Sequence, residues 1–282
     1  MPIRSSTSLV LHRKLRRMLA ATFVLVMAST LGVGVQSATA TSTKNFCEFA
    51  VFIGVRGTGA PAGATAAHSN RVWRAGGLGD QIAPLRNLVD DNVYPVWSAS
   101  LNYPASTNYE ASVSAGADTL TTELNYLASA CGPYSPGFVL AGHSQGADVI
   151  ARALSWGNWP NGVQLSQDAK NKIKAVVFYG DPRFYPGDTW NAPGSPSQQG
   201  LMPRNAILKE ELKTYRFWGW PQGSTNPSPT WVSKIRSYCY AGDFFCQNNP
   251  NDSGFAIHNS YGSSTQTSKA TSWIDYMLTD SN

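Results

Sequence analysis

The feature that most narrows the fold is a five-residue turn, Gly142-His143-Ser144-Gln145-Gly146, between an apolar run, Phe138 to Ala141, and a helix-patterned stretch. In that stretch Val149, Ile150, Ala153 and Leu154 share one face. The Gly-x-Ser-x-Gly spacing alone is a moderate signal, because glycine is common enough for it to arise by chance. Its flanks carry the information: strand, sharp turn, helix is the order a nucleophile elbow requires. The glycines are expected to let the backbone pass a strained turn that lifts the Ser144 hydroxyl to the carboxyl edge of a sheet. The helix beginning there aims unpaired N–H groups at the space in front of the serine.

The rest of the chain supplies a sheet for such a turn. Glu48 to Val55 is an apolar run ending in Arg56-Gly57-Thr58-Gly59, as expected of a buried first strand feeding a loop. Gly79 to Asp90 places Ile82, Leu85, Leu88 and Val89 on one helical face, with Pro84 in the first turn. Val93 to Leu101 is β-rich, and Pro95 argues against a fully central position for it. Glu110 to Ala130 predicts a longer helix, striped by Val113, Leu120, Leu124 and Leu127 and stopped by Gly132 and Pro133. Ile173 to Tyr179 and Ile235 to Tyr238 are further strands, and a C-terminal helix from Thr267 to Leu278 carries Trp273, Ile274 and Met277. Strands alternating with helices predict an α/β three-layer sandwich, with a central, mostly parallel sheet of about five strands and helices on both faces. Arg183 to Thr230 breaks the alternation. It is rich in Pro, Gly, Ser and aromatics, among them Trp190, Phe217, Trp218 and Trp220, and is read as an insertion on the sheet, around 183–230.

The first forty residues carry Arg4, Arg13, Lys14, Arg16 and Arg17, then an apolar run from Met18 to Val35, then the small triplet Ala38-Thr39-Ala40. That order predicts a secretory signal peptide, residues 1–40, and one domain, 41–282; an uncleaved membrane anchor is the competing reading. The five basic residues account for the whole excess of 22 Lys plus Arg over 17 Asp plus Glu. The remainder is near neutral, which argues against nucleic acid as a partner. Cys47, Cys131, Cys239 and Cys246 all follow the cleavage site, and an even count in an exported chain predicts two disulfides. Three pairings are possible, one of which closes a small loop between Cys239 and Cys246 and leaves Cys47 with Cys131. Neither pair has the short spacing of a zinc site.

A serine hydroxyl is a weak nucleophile and needs a base, which in this architecture follows it in the chain, after the acid. Of His12, His68, His143 and His258, only His258 satisfies that order. His143 is read as packing beside the elbow, and His68 as a solvated loop residue. For the acid the candidates are Asp148, Asp168, Asp181, Asp188, Asp243 and Asp252, with Glu210 and Glu211 as outside choices. Asp243 is preferred, because a disulfide bracketing Cys239-Tyr-Ala-Gly-Asp-Phe-Phe-Cys246 would give it the rigidity that holds an imidazole in one tautomer. Asp181, just after a strand, is second, with a turn residue before Pro182 as its plainer reading.

The succession of RGTG, GHSQGA, GDPR, CYAGDFFC and a late histidine resembles the cutinase family. The resemblance implies a triad of Ser144, Asp243 and His258, and disulfides Cys47–Cys131 and Cys239–Cys246. It also implies an oxyanion hole from the backbone N–H groups of Thr58 and Gln145. It further implies a secreted, cofactor-free serine esterase, without metal and most simply a monomer, acting on cutin-type polyester, acyl lipid or a similar ester. An acetylxylan or carbohydrate esterase is the alternative, and a non-catalytic module docking a surface through its Trp-rich segment is the rival from another class. Two departures stand out: His143 replaces the family's usual tyrosine, and the 183–230 insertion either frames the site or tucks against the sheet.

Overall fold

Five apolar runs pair side by side in parallel. The computed structural model describes residues 46–68, 71–134, 137–155, 162–225 and 228–279; the leader, with its cleavage site and the start at Thr41, lies outside them. The strands are β1 (Ala50–Val55), β2 (Ala64–His68), β3 (Arg71–Ala75), β4 (Val96–Ser100), β5 (Phe138–His143), β6 (Ile173–Tyr179), β7 (Arg216–Gly219), β8 (Thr230–Ser233) and β9 (Ile235–Tyr238). The α-helices are α1 (Ala83–Asn92), α2 (Tyr109–Cys131), α3 (Gln145–Ser155), α4 (Gln167–Lys172), α5 (Ala206–Leu212) and α6 (Ser264–Thr279). The main sheet runs β2-β3-β4-β1-β5-β6-β9. Strands β4, β1, β5, β6 and β9 are mutually parallel, with Ile53 beside Ala99 and Leu140, and Val177 beside Arg236.

Every residue of β1 and β5 is buried, as parallel strands covered on both faces require. Alternation sends Val51, Ile53 and Leu140 toward α2 and α3, where they meet Leu120, Leu124, Val149 and Ile150. It sends Phe52, Val139 and Val177 toward α1 and α6, against Leu85, Val89, Trp273 and Met277. Among the described residues no helix is long and apolar enough to cross a membrane.

The sheet is wider than the sequence suggests, because an antiparallel hairpin, β2–β3, extends it beyond β4. Trp73 of that hairpin is buried and meets Trp97 of β4 edge-on at 5.3 Å. The β4 strand is therefore flanked on both sides. Pro95 is compatible with this because it sits one residue before the strand, where no ladder N–H is needed.

Most of the insertion lies along the far edge and one face. Ala192 N–H donates to Ser237 O and Ser237 N–H to Trp190 O, which fixes a short parallel bridge beside β9. Leu208 and Leu212 of α5 join the core under α3, and Tyr215 OH donates to Leu154 O at 2.8 Å. Strands β7 and β8 form a separate two-stranded sheet. The disulfides are Cys47–Cys131, tying the approach to β1 to the end of α2, and Cys239–Cys246, closing the loop after β9.

Candidate active site

Parallel strands bring their carboxyl ends to one edge, and the loops leaving β1, β5, β6 and β9 meet there. Ser144 leaves β5 with φ +54°, a conformation uncommon outside glycine. Its N–H donates to Tyr179 O at 2.9 Å, and Ala147 N–H donates to Ser144 O at 2.9 Å. The strain thus falls on the serine itself, not on its flanking glycines as the motif suggested. Those glycines serve close approach: a Cβ on Gly146 would lie 2.0 Å from Val55 O, so only glycine lets α3 start this near β1.

Gln145 is fully buried. Its side-chain Nε2 donates to Ser106 O and its Oε1 accepts from Ser112 Oγ, each at 2.9 Å, which ties the elbow to the start of α2. As the first residue of α3 it carries one of the N–H groups that no helix satisfies internally. Thr58 stands on the loop after β1 and lines the same cleft as Ser144. Arg56 holds that loop, donating to Ala60 O, Leu101 O and Tyr103 O at 2.8, 3.1 and 2.6 Å, while Tyr103 OH donates to Arg56 O. In the sequence the RGTG run reads as a turn, the oxyanion role of Thr58 comes from the family resemblance, and the Arg56 clamp is legible in neither.

Asp243 lies buried in the loop closed by Cys239–Cys246. Its Oδ1 accepts from the N–H groups of Phe245 and Cys246 at 2.7 and 2.8 Å. Its Oδ2 accepts from His258 Nδ1 at 2.9 Å and Tyr261 OH at 2.8 Å. Burial pushes the carboxyl up, but the bonds from His258, Cys246 N–H and Tyr261 outweigh it and hold Asp243 below the usual carboxylate range. With Nδ1–H given to Asp243, His258 Nε2 is left as an acceptor. It is buried, has no hydrogen-bond partner among the described residues, and its ring lines the cleft beside Ser144. Gly180, after β6, makes room for this ring: it has φ +58°, and a Cβ there would sit 2.8 Å from His258 Cε1.

Most of the other candidate acids pair with groups away from His258. Asp181 accepts from Arg204 Nη2 at 2.6 Å and from Arg183 N–H, and Asp188 lies 2.9 Å from Arg204. Asp148 pairs with Arg183 under the elbow, Glu210 with Lys213, and Asp168 stands in the first turn of α4. Asp252 does something its sequence context hides. Its carboxylate accepts from the N–H groups of Phe244, Ile257 and His258 at 3.3, 2.9 and 3.0 Å, stapling the loop of Asp243 to that of His258. Asp252→Ala is expected to lower kcat about tenfold or more with KM little changed, because sub-ångström shifts of a reacting group are that costly. Asp252→Asn, which keeps one acceptor oxygen, should recover part of the loss. Steady-state kinetics on a soluble ester check this, and a wild-type kcat in the alanine variant would remove Asp252 from the positioning of His258.

His143 packs its ring 4.6 Å from that of His258, and its Nε2 donates to His258 O at 2.9 Å. Burial, aided by the neighbouring His258, lowers its pKa to about 3, so it stays a neutral donor.

The cleft measures about 760 Å3. Phe245, Phe255, Met202 and Pro182 form an apolar wall, and Asp80, Gln81, Thr107 and Asn259 a polar flank. Phe255 adopts φ +58° and sets its ring 5.1 Å from those of Phe244 and Phe245. Met202 is the point at which the insertion reaches the cleft lining. A second hollow of about 750 Å3, lined by Asn125, Ser166, Lys172 and Lys174, contains none of these groups.

The family model described as Cutinase matches residues 46–278. Acetylxylan esterase 2 of Talaromyces purpureogenus is 33% identical over 187 residues, 61% of this chain and 69% of that protein. Cutinase 11 of Verticillium dahliae is 28% identical over 186 residues, 61% of this chain and 55% of that protein, so the match spans little more than half of this second relative. A solved structure of an acetylxylan esterase superposes with a TM-score of 0.59 at 28% identity, covering 81% of this chain and 98% of that one. On that coverage the chain belongs to the cutinase family, and it is a carboxylic ester hydrolase of the α/β-hydrolase fold.

Proposed function

We propose that this esterase works through an acyl-enzyme, with Ser144 as nucleophile, His258 as general base and Asp243 as the acid that orients it. The observation that carries the reading is the state of His258: Nδ1 is held by Asp243, while Nε2 is buried and unpartnered in the cleft that Ser144 also lines. Nε2 takes the Ser144 proton as the hydroxyl oxygen attacks the ester carbonyl. The N–H groups of Gln145 and Thr58 receive the oxyanion. Collapse expels the alcohol, which takes the proton from His258. Water, deprotonated by His258, then releases the acid and restores Ser144. Asp243 remains a carboxylate and compensates the imidazolium. The steps call on side chains and backbone alone.

The chain is proposed to be exported, with residues 1–40 removed, and to act as a monomer; the two disulfides support an oxidising destination. As substrate we favour short acyl esters carried on a polysaccharide. Acetylxylan esterases among the relatives support this, as does the polar flank of Asp80, Gln81, Thr107 and Asn259, which can meet sugar hydroxyls. The Phe245–Phe255 wall favours the polyester or acyl-lipid reading. A p-nitrophenyl ester series run beside acetylxylan and a polyester film decides between them. The expected result is the highest kcat/KM at acetate to butyrate, with acetate released from acetylxylan. A maximum at long acyl chains, or erosion of the film with acetylxylan untouched, would replace the carbohydrate reading with the polyester one.

A further inference from the structure

The Trp-rich hairpin does not belong to the cleft. Strand β8 passes through Lys234 into the first residue of β9, and Lys234 N–H donates to Tyr215 O at the base of β7. The hairpin therefore stands at the amino end of β9, about 13 Å, the length of that four-residue strand, from the carboxyl edge that carries Ser144. The late part of α6 holds it there: Tyr276 OH donates to Trp220 O, and Gln222 Nε2 donates to Ser272 O at 2.9 Å.

Its two faces are unusual. Val232 is buried and Phe217 packs on Tyr276, so these make the inward side. A half-buried antiparallel sheet normally turns polar side chains outward. Here the outward side presents Trp218 and Trp231, registered directly opposite each other, and Trp220 follows at the end of β7. They are 58%, 54% and 57% exposed. A cluster of exposed aromatics of this kind marks a binding surface.

We propose that Trp218 and Trp231 form a secondary binding site for a neutral, twisted β-linked glycan chain of the xylan type. The flat faces of indole rings suit the C–H faces of pyranose sugars. Beside them the Arg216 guanidinium, stacked over one face of the Trp231 ring at 4.5 Å, offers N–H donors to sugar hydroxyls, and the Ser233 hydroxyl, which accepts from Ile235 N–H, keeps its own O–H to donate. The two indole planes meet at 75° with centroids 5.5 Å apart. A flat ribbon such as crystalline cellulose needs coplanar rings, whereas a chain that turns between successive sugars needs rings set at an angle. A protein partner fits less well. Three indoles at these exposures offer roughly 400 Å2, half of the about 800 Å2 per partner that a stable protein interface buries. The choice of xylan rests on the carbohydrate-ester reading of the cleft, and the site would keep the enzyme on the polymer that carries its substrate.

The test uses the mature chain with Trp218→Ala, Trp231→Ala and Trp231→Phe. Affinity electrophoresis in soluble deacetylated xylan, a microcrystalline cellulose pull-down, p-nitrophenyl acetate kinetics and acetylxylan kinetics are compared. Xylan should retard the wild type, and cellulose should not retain it. Each alanine variant should lose about tenfold in xylan affinity, Trp231→Phe should keep most of it, and p-nitrophenyl acetate hydrolysis should be unchanged, which also certifies the fold. On acetylxylan the alanine variants should raise KM and leave kcat alone. An unretarded wild type, or retardation that survives both alanine changes, would overturn the site. So would a wild-type dimer that these changes dissolve, which would make the face a contact between copies. Xylan binding without acetate release would leave the site standing and defeat the substrate reading; acetate release without binding would do the reverse.

Discussion

Ser144→Ala is expected to abolish ester hydrolysis, lowering kcat by about 10^4-fold or more. The cleft, the α3 terminus and the His258–Asp243 pair all persist without the hydroxyl, so a small residual rate above the uncatalysed one should remain. Folding should be preserved. Alanine meets the same cost at φ +54° as serine does, and the bonds that hold the elbow, Ser144 N–H to Tyr179 O and Ala147 N–H to Ser144 O, are backbone bonds. Thermal unfolding of the variant should therefore superpose on that of the wild type. An organophosphate should label the wild type once and the variant not at all. Hydrolysis of p-nitrophenyl acetate at an undiminished rate by Ser144→Ala would remove the elbow from the chemistry.

The second large effect separates two buried aspartates. Asp243→Asn should lower kcat by about 10^3- to 10^4-fold. An amide at that position can present its NH2 to His258 Nδ1, which moves the ring proton to Nε2 and takes the base away from Ser144. Asp181→Asn should instead cost stability. Asp181 and Arg204 are 0% and 2% exposed at the side chain, and although Asp188 stays 2.9 Å from the guanidinium, losing the charge of one of its two buried carboxylates costs about 1–3 kcal/mol. The folded fraction of that variant should turn over at close to the wild-type rate. Activity normalised to folded protein, with a urea midpoint for each variant, distinguishes the two outcomes, and the reverse ranking would move the acid to Asp181.

The contrast shows which parts of the molecule the chain spells out locally. The parallel strands are legible because strands covered on both faces must be continuous apolar runs, as in Ala50–Val55 and Ile173–Tyr179. The elbow is legible because its strand, turn and helix are adjacent in sequence. The β2 strand, Ala-Thr-Ala-Ala-His, has no alternation and little β propensity, so its pairing with β3 is decided by tertiary contact. The short helices α4 and α5 are too brief to establish a stripe, and β7–β8 inverts the usual pattern outright.

Around the cleft the same division holds. Asp243 can be singled out because two cysteines bracket it. Asp252 sits in Asn248-Asn-Pro-Asn-Asp252, where an acid reads as a turn residue, and its value lies in three backbone N–H groups that no side-chain pattern records. His143 was legible as a neighbour of the elbow but not as a donor to His258 O, 115 residues away. Arg56, clamped on carbonyls 45 and 47 residues on, is hidden for the same reason.

The bond between Cys239 and Cys246, seven positions apart, has a consequence beyond stiffness. Asp243 faces His258 from a ring of backbone that exists only when two thiols have been oxidised. In a reducing compartment that ring is open, and the carboxylate is left to its bonds with His258, Tyr261 and the N–H groups of Phe245 and Cys246, without the covalent closure that fixes the loop's path. On the proposed export and triad, ester hydrolysis is expected to fall when Cys239–Cys246 is reduced and to return on reoxidation, which ties the timing of activity to the redox state of the space the chain has entered.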